Sequence, residues 1–116
     1  SSHLEDFKRL AHELAMQVAA MAPVYVSADQ IPAEEVERVR AESLERVKNE
    51  GKPAEIAEKI VDGQVKKYFA DKVLLTQTYI LDDSKTVEQH IKENIAKLGE
   101  NIVVGQFRRI ELGVSE

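Results

Sequence analysis

The segment that decides the fold is residues 32–75, which read PAEEVERVRAESLERVKNEGKPAEIAEKIVDGQVKKYFADKVLL. It contains two highly charged stretches that are separated by a break at Gly51-Lys52-Pro53. Apolar side chains recur at three- and four-residue intervals in both stretches, which is the spacing of one face of a helix. Two amphipathic helices joined by so short a break predict an antiparallel helical hairpin.

Both arms of this hairpin carry start and stop signals. Pro32 suits the first turn of a helix, and Glu34 and Glu35 follow where negative charge is favoured by the helix dipole. Gly51 predicts the left-handed residue that ends the first arm, and Pro53 begins the second. A narrow apolar seam between charged flanks favours pairing with one other helix. The seam residues are Val36, Val39, Ser43, Leu44 and Val47 in the first arm, and Ile56, Ala57, Ile60, Val61, Gln64, Val65, Tyr68 and Phe69 in the second.

Another helix is predicted before the hairpin, from Leu4 to Ala22. Pro23 ends it, because the residue before a proline is disfavoured in the helical conformation. An apolar stripe along this helix is expected to face the core, and it consists of Leu4, Phe7, Leu10 or Ala11, Leu14, Val18 and Met21. The other face is either solvated or a surface for a partner, and it carries Arg9, His12, Glu13 and Gln17.

After the hairpin the sequence predicts one more helix and then a strand. Thr86 and Gln89 have the spacing of a capping box at a helix start, and Ser84 is the competing cap. This helix is predicted to end at Gly99. Residues 101–112 are rich in β-branched and aromatic side chains, so they are predicted to form a strand.

These elements predict a single domain over residues 1–116, of the α+β class and predominantly helical. The hairpin projects from it, and the C-terminal strand belongs to a small antiparallel sheet. A lone strand leaves a row of unpaired backbone groups. Either Val24–Val26 or Tyr79–Leu81 pairs with it, or its partners lie outside this chain, and we favour the second alternative. The residues predicted to pair with those strands or with a second copy are Ile102, Val104, Phe107 and Ile110.

Composition restricts the kinds of partner. The chain of 116 residues is 43% hydrophobic and 32% charged, which is typical of a globular, helix-rich protein. Its net charge is −5 and its aromatic content only 5%, so direct nucleic-acid binding is not expected. No apolar run is long enough to cross a membrane. The lack of cysteine agrees with a cytoplasmic protein.

Residues that carry out chemistry are not arranged into a recognisable site. His3, His12 and His90 are too scattered to indicate a metal site. We find no glycine-rich phosphate loop and no nucleophile elbow, and the many glutamates are distributed as on a solvated helix surface. The sequence therefore predicts no metal, no cofactor and no enzymatic activity. A protein-interaction module is the expectation that remains.

Several segments resemble one family of translation factors, elongation factor Ts. NEGKP at residues 49–53 and IAEKIVDG at residues 56–63 are similar to the helical hairpin of that family. SKTV at residues 84–87, and GENIVV and FRRIELG within residues 99–113, are similar to its C-terminal helix and strand. LAMQVAA at residues 14–20 is similar to its first core helix. These motifs occur in the family's order over essentially the whole chain, so the resemblance is specific.

The resemblance implies a guanine-nucleotide exchange factor, which binds elongation factor Tu in its GDP form and promotes GDP release. It also implies a layer of helices on an antiparallel sheet, with the hairpin as a coiled-coil or dimerisation element. Contact with the GTPase is implied for the exposed face of the first helix, at His12, Met16 and Gln17, and for the region of the end strand.

Two features of the family are missing from this sequence. One is the N-terminal three-helix domain. The other is a Thr-Asp-Phe-Val motif, which the family places immediately before the first helix of this chain and whose Asp and Phe contact the GTPase. We therefore expect a C-terminal fragment with little exchange activity of its own. The alternative is a structural homodimerisation module, in which the hairpin and the end strand pair with a second copy.

Overall fold

The computed structural model describes the backbone of residues 3–111 and the side chains of residues 3–100. Its four helices, in chain order, are α1 (His3–Met21), α2 (Ala33–Asn49), α3 (Ala54–Ala70) and α4 (Val87–Glu111). Short 3-10 turns at Ala28–Gln30 and Leu74–Thr76 lie in the connections. The described chain is elongated, with extents of 73 × 29 × 26 Å.

The predicted hairpin is confirmed, and it consists of α2 and α3. Val47, Ala57 and Val61 are buried where the two helices meet. The break between the arms contains Gly51, whose φ of 76° is the left-handed conformation predicted for it. The Gly51 N–H donates to the carbonyl oxygen of Lys48 at 2.9 Å, which satisfies one of the last carbonyls of α2.

Polar side chains also cross the hairpin seam. Ser43 on α2 is fully buried and donates a hydrogen bond to the amide oxygen of Gln64 on α3. Arg40 on α2 forms an exposed ion pair with Asp62 on α3. A shift of one helix along the other would break both contacts, so they specify the alignment of the two arms.

The base of the hairpin is hydrogen-bonded to the extended segment that follows α1. The N–H groups of Val24 and Tyr25 donate to the carbonyl oxygen of Lys72, at 2.8 and 3.0 Å. The Leu74 N–H donates to the carbonyl oxygen of Tyr25 at 2.8 Å. These bonds surround an isolated parallel bridge between Tyr25 and Val73. The weak segment after α1 therefore pairs with the chain that leaves α3, and not with residues 101–111.

Helix α1 packs against α4 and the preceding loop through one face. Leu10 and Gln17 are buried, and Leu14 packs in part against the cluster formed by Leu74, Tyr79 and Val87. The apolar stripe predicted for α1 is therefore only partly in the core. The hydrogen bonds of Gln17 turn the side of the helix that carries Gln17 toward the interior. The stripe residues that remain exposed are Leu4, Phe7, Val18 and Met21.

The start of α4 is the predicted capping box. The Gln89 N–H donates to the Thr86 hydroxyl at 3.2 Å, and the Thr86 N–H donates to the Gln89 amide oxygen at 2.8 Å. Each side chain thus satisfies a backbone donor that the first turn leaves free. Thr86, and not Ser84, is the cap.

The C-terminal strand is a prediction that the structure does not support, since α4 continues through Gly99 to Glu111. Within residues 3–111 the only β pairing consists of two isolated bridges, so no strand lies beside residues 101–111. A helix satisfies its own backbone groups and elongates by one hydrogen bond per residue, whereas a strand requires a neighbour. The residues predicted to pair through that strand are Ile102, Val104, Phe107 and Ile110. Their side chains lie outside the described residues, as does the whole of Leu112.

Candidate partner-binding surface

The three residues predicted to contact a partner lie on two different sides of α1. His12 and Met16 are exposed one helical turn apart, and Met16 retains 38% of its side-chain accessibility. Gln17 is fully buried, so it does not belong to the exposed face on which the prediction placed it. The contact roles of His12 and Met16 remain predictions.

Gln17 is buried because its amide forms three hydrogen bonds with the chain between α3 and α4. Its nitrogen donates to the Gln77 side-chain oxygen at 3.2 Å and to the Thr78 carbonyl at 3.0 Å. Its oxygen accepts from the Ile80 N–H at 2.9 Å. A buried amide with all these groups satisfied stabilises the interior, whereas an unsatisfied one is costly.

The exposed surface of α1 is strongly apolar. Leu4, Phe7 and Val18 lie along one line of the helix, with exposed fractions of 62%, 53% and 46%. Met16 and its neighbour His12 lie on another side of the helix, roughly 140° around the axis from that line. Exposed apolar side chains that form a continuous patch mark surfaces that contact other macromolecules. The exposed side of α1 is therefore the best candidate for a binding surface among the described residues.

A buried polar cluster joins α1 to α4. The Nε2 atom of His90 lies 3.0 Å from Oε1 of Glu13, and its ring stacks on Tyr79 with centroids 4.0 Å apart. Asn94 donates to the His90 carbonyl at 2.8 Å. Burial, and then the negative charge of Glu13, raises the pKa of the Tyr79 hydroxyl. Sequence reasoning missed this cluster, because His90 and Glu13 lie 77 positions apart.

The side chain of Lys85 lies on the outer side of this cluster. Its ammonium group is 5.7 Å from the centroid of the Tyr79 ring and 2.8 Å from a carboxylate oxygen of Glu93. The hydrogen bond from Lys85 lowers the pKa of Glu93. These contacts anchor the start of α4, so the cluster has a structural role in the described chain.

Grooves lie along the described hairpin, and two of them differ in position and lining. One, of about 280 Å³, is at its base and is lined by apolar residues that include Ile31, Val65 and Phe69. The other, of about 580 Å³, is near its tip, between Leu44 and Glu58. The first is smaller than most ligand pockets, and the second is an open depression with charged side chains at its rim, so neither resembles a small-molecule site.

Among the described residues, no group of three or more histidine and carboxylate side chains is placed to hold a metal ion. No helix in the same part of the chain combines the length and the apolar character needed to cross a membrane.

The chain is similar to proteins that act in translation. The family model described as Elongation factor TS matches residues 2–114. Relatives named Elongation factor Ts come from Coprothermobacter proteolyticus (51% identical), Oleidesulfovibrio alaskensis (50%) and Thermotoga petrophila (49%). Each match covers 94% of this chain and 54–55% of the relative. The chain thus spans about half the length of the curated relatives it matches.

These matches define the class of the protein as a translation elongation factor. Within that class, the chain belongs to the elongation factor Ts family. The resemblance noted from the hairpin and from the C-terminal motifs is therefore confirmed.

Proposed function

We propose that this chain takes part in guanine-nucleotide exchange by binding elongation factor Tu in its GDP form. The observation that carries the proposal is the exposure of His12 and Met16, which lie one turn apart on the same face of α1. Family membership supplies the identity of the partner, as the sequence resemblance implies. The cytoplasm is the corresponding compartment.

The proposed mechanism is differential binding and not bond chemistry. A protein that binds the nucleotide-free GTPase more tightly than the GDP-bound form must weaken GDP binding by the same factor. No side chain of the exchange factor has to donate a proton or hold a metal for this effect. It needs only a surface that fits one state of the partner better than the other.

The side chains on α1 suit such a surface. Met16 is unbranched and polarizable, so it adapts to an irregular apolar contact. His12 offers a hydrogen-bonding group one turn away. A small number of buried contacts dominates the energy of most interfaces, so the removal of one of these side chains should be measurable.

The test is binding of the chain to elongation factor Tu that carries a fluorescent GDP. The wild-type chain should bind the GTPase. It should accelerate the release of GDP from the GTPase less than a full-length relative does, such as that of Thermotoga petrophila. Met16→Ala and His12→Ala should each weaken binding by roughly tenfold, the effect of removing a side chain that contributes measurably to an interface. Ile56→Ala is the matched control, because Ile56 is also an exposed large apolar residue and lies on the hairpin.

The outcomes of this binding experiment either support the proposal or contradict it. Loss of binding in the α1 variants, with unchanged binding of Ile56→Ala, supports it. If the wild-type chain does not bind elongation factor Tu at all, the proposal is wrong. Equal effects of all three variants would place the contact elsewhere or spread it over the whole chain.

The alternative function is homodimerisation. The exposed line of Leu4, Phe7 and Val18 favours it, because an apolar helix face without a neighbour lowers its free energy by pairing. Sedimentation equilibrium over a wide concentration range distinguishes the two proposals. A monomer at high protein concentration rules out homodimerisation and leaves binding to the GTPase intact.

A further inference from the structure

One side chain caps the C-terminal ends of two helices. The amide nitrogen of Gln77 donates to the Met21 carbonyl of α1 at 3.3 Å. The same nitrogen donates to the Asp71 carbonyl, at the end of α3, at 2.8 Å. Gln77 is 2% exposed, so these bonds are shielded from water.

The two carbonyls are the kind of group that a helix leaves unsatisfied. The last four carbonyls of a helix have no partner within it, and that end carries a partial negative charge. An amide N–H₂ has two donors, which matches one carbonyl from each helix. Gln77 therefore joins the end of α1 directly to the end of the second hairpin arm.

Gln17 holds this amide in one orientation. Its nitrogen donates to the Gln77 oxygen at 3.2 Å, while its other bonds attach it to Thr78 and Ile80. If the Gln77 amide rotated by half a turn, its oxygen would face two carbonyl oxygens and its nitrogen would face the Gln17 nitrogen. Both changes place like partial charges together, so the network has one favourable arrangement.

We propose that the buried Gln17–Gln77 pair is a positioning device, which sets the direction of the hairpin relative to α1. A second link at this place consists of the backbone hydrogen bonds around Tyr25 and Val73, which surround a single isolated bridge. The two amides act on the helix ends themselves. Through this pair, the exposed face of α1 and the projecting hairpin are presented to a partner as one rigid surface.

The first test measures direction without any partner. The chain has no cysteine, so cysteines introduced in place of Lys8 on α1 and Lys52 near the hairpin tip are the only labelling sites. The distribution of distances between two spin labels is then measured by pulsed electron paramagnetic resonance. Wild-type chain should give a narrow distribution. Gln77→Glu keeps the size of the side chain, removes both donors, and should broaden or shift the distribution.

Gln64→Glu is the matched control, because Gln64 lies within the hairpin and its bond to Ser43 does not involve α1. It should retain the wild-type distribution. If Gln77→Glu loses its helical circular dichroism, Gln77→Met replaces it as an uncharged variant of similar volume. A folded Gln77 variant with the wild-type distribution overturns the proposal. Unfolding of both variants also overturns it, because the amide would then be needed for folding and not for direction.

The second test rests on the proposed function. Gln77→Glu should weaken binding to elongation factor Tu by about tenfold, because the partner must then fix a hairpin direction that the free chain no longer holds, and Gln64→Glu should not. If the wild-type chain does not bind, the proposed function fails while the distance measurement still decides the positioning role. If a Gln77 variant with a changed distance between the two spin labels still binds as tightly as wild type, binding to elongation factor Tu does not depend on the direction of the hairpin.

Discussion

The Nε2 atom of His90 and a carboxylate oxygen of Glu13 lie 3.0 Å apart, a polar contact that connects α4 with α1 across the interior of the described chain. The His90 side chain is only 10% exposed and also stacks on Tyr79. The pair therefore contributes both a polar contact and ring packing where two helices meet. Its loss should affect stability more than the loss of any exposed histidine.

The first prediction concerns this pair. His90→Ala leaves the half-buried Glu13 carboxylate without its partner and opens a space beside Tyr79, so it should lower the free energy of unfolding by about 2–3 kcal/mol. Urea denaturation followed by circular dichroism measures the change. His12→Ala is the control on an exposed site of α1 and should stay within about 0.5 kcal/mol of wild type. Equal effects of the two substitutions would contradict the structural role of His90.

The second prediction compares two glycines of the hairpin. Gly51 has a φ of 76°, so Gly51→Ala should destabilise the chain by about 1 kcal/mol. Gly63 lies within α3, and a Cβ atom built on it meets nothing within 4 Å. Gly63→Ala should therefore stabilise the chain by up to about 1 kcal/mol through helix propensity. Thermal denaturation of both variants measures the two changes in stability. The structure requires them to have opposite signs, with Gly51→Ala less stable and Gly63→Ala more stable than wild type.

The third prediction concerns the cap of α4. Thr86→Ala removes the hydroxyl that accepts from the Gln89 N–H, and it should cost about 1 kcal/mol. Thr86→Ser keeps the hydroxyl and should recover most of the loss. Urea denaturation of the two variants is the measurement. Equal stability of the alanine and serine variants would mean that the capping box contributes nothing.

The fourth prediction is a dependence on pH at the alkaline end. The pKa of Tyr79 is raised in the folded state, so the unfolded chain loses this proton first as the pH rises. The contribution of Tyr79 to stability is therefore constant below the ordinary tyrosine pKa of about 10, and is lost as the pH rises above it. Tyr79→Phe should reduce this alkaline loss.

Near neutral pH the same substitution should cost little. The Tyr79 hydroxyl is buried beside the Glu13 carboxylate but forms no well-directed hydrogen bond with a described residue, so Tyr79→Phe should leave the stability within about 1 kcal/mol of wild type. Tyr68→Phe is the control, since Tyr68 is partly exposed on α3 and its loss leaves Tyr79 in place. A Tyr79→Phe variant that retains the full alkaline loss would contradict the assignment.

Local signals predicted the hairpin and the caps correctly. Gly51 and the Thr86–Gln89 capping box depend on residues a few positions apart, so their physical causes are visible in the sequence. Residues 101–111 were predicted as a strand from their side chains, but strand formation depends on a neighbour that a local pattern does not contain. In the described chain they extend α4 instead.

The candidate surface was predictable only in part. A polar residue on an amphipathic helix is expected to be exposed, so nothing in the sequence indicated that Gln17 is buried. Its partner Gln77 lies 60 positions away, and only the fold brings the two amides together. The apolar stripe of Leu4, Phe7 and Val18 predicted a covered face, yet periodicity does not identify what covers it.

The central claim, that the exposed face of α1 binds elongation factor Tu, is tested most directly by the methionine methyl groups. The chain has only two methionines, Met16 and Met21, and both are partly exposed on different sides of α1. The chain labelled with ¹³C at these methyl groups therefore gives two signals, which are followed as the GDP-bound GTPase is added. The account predicts that the Met16 signal shifts or broadens more than the Met21 signal. Saturable binding that leaves the Met16 signal unchanged would contradict it.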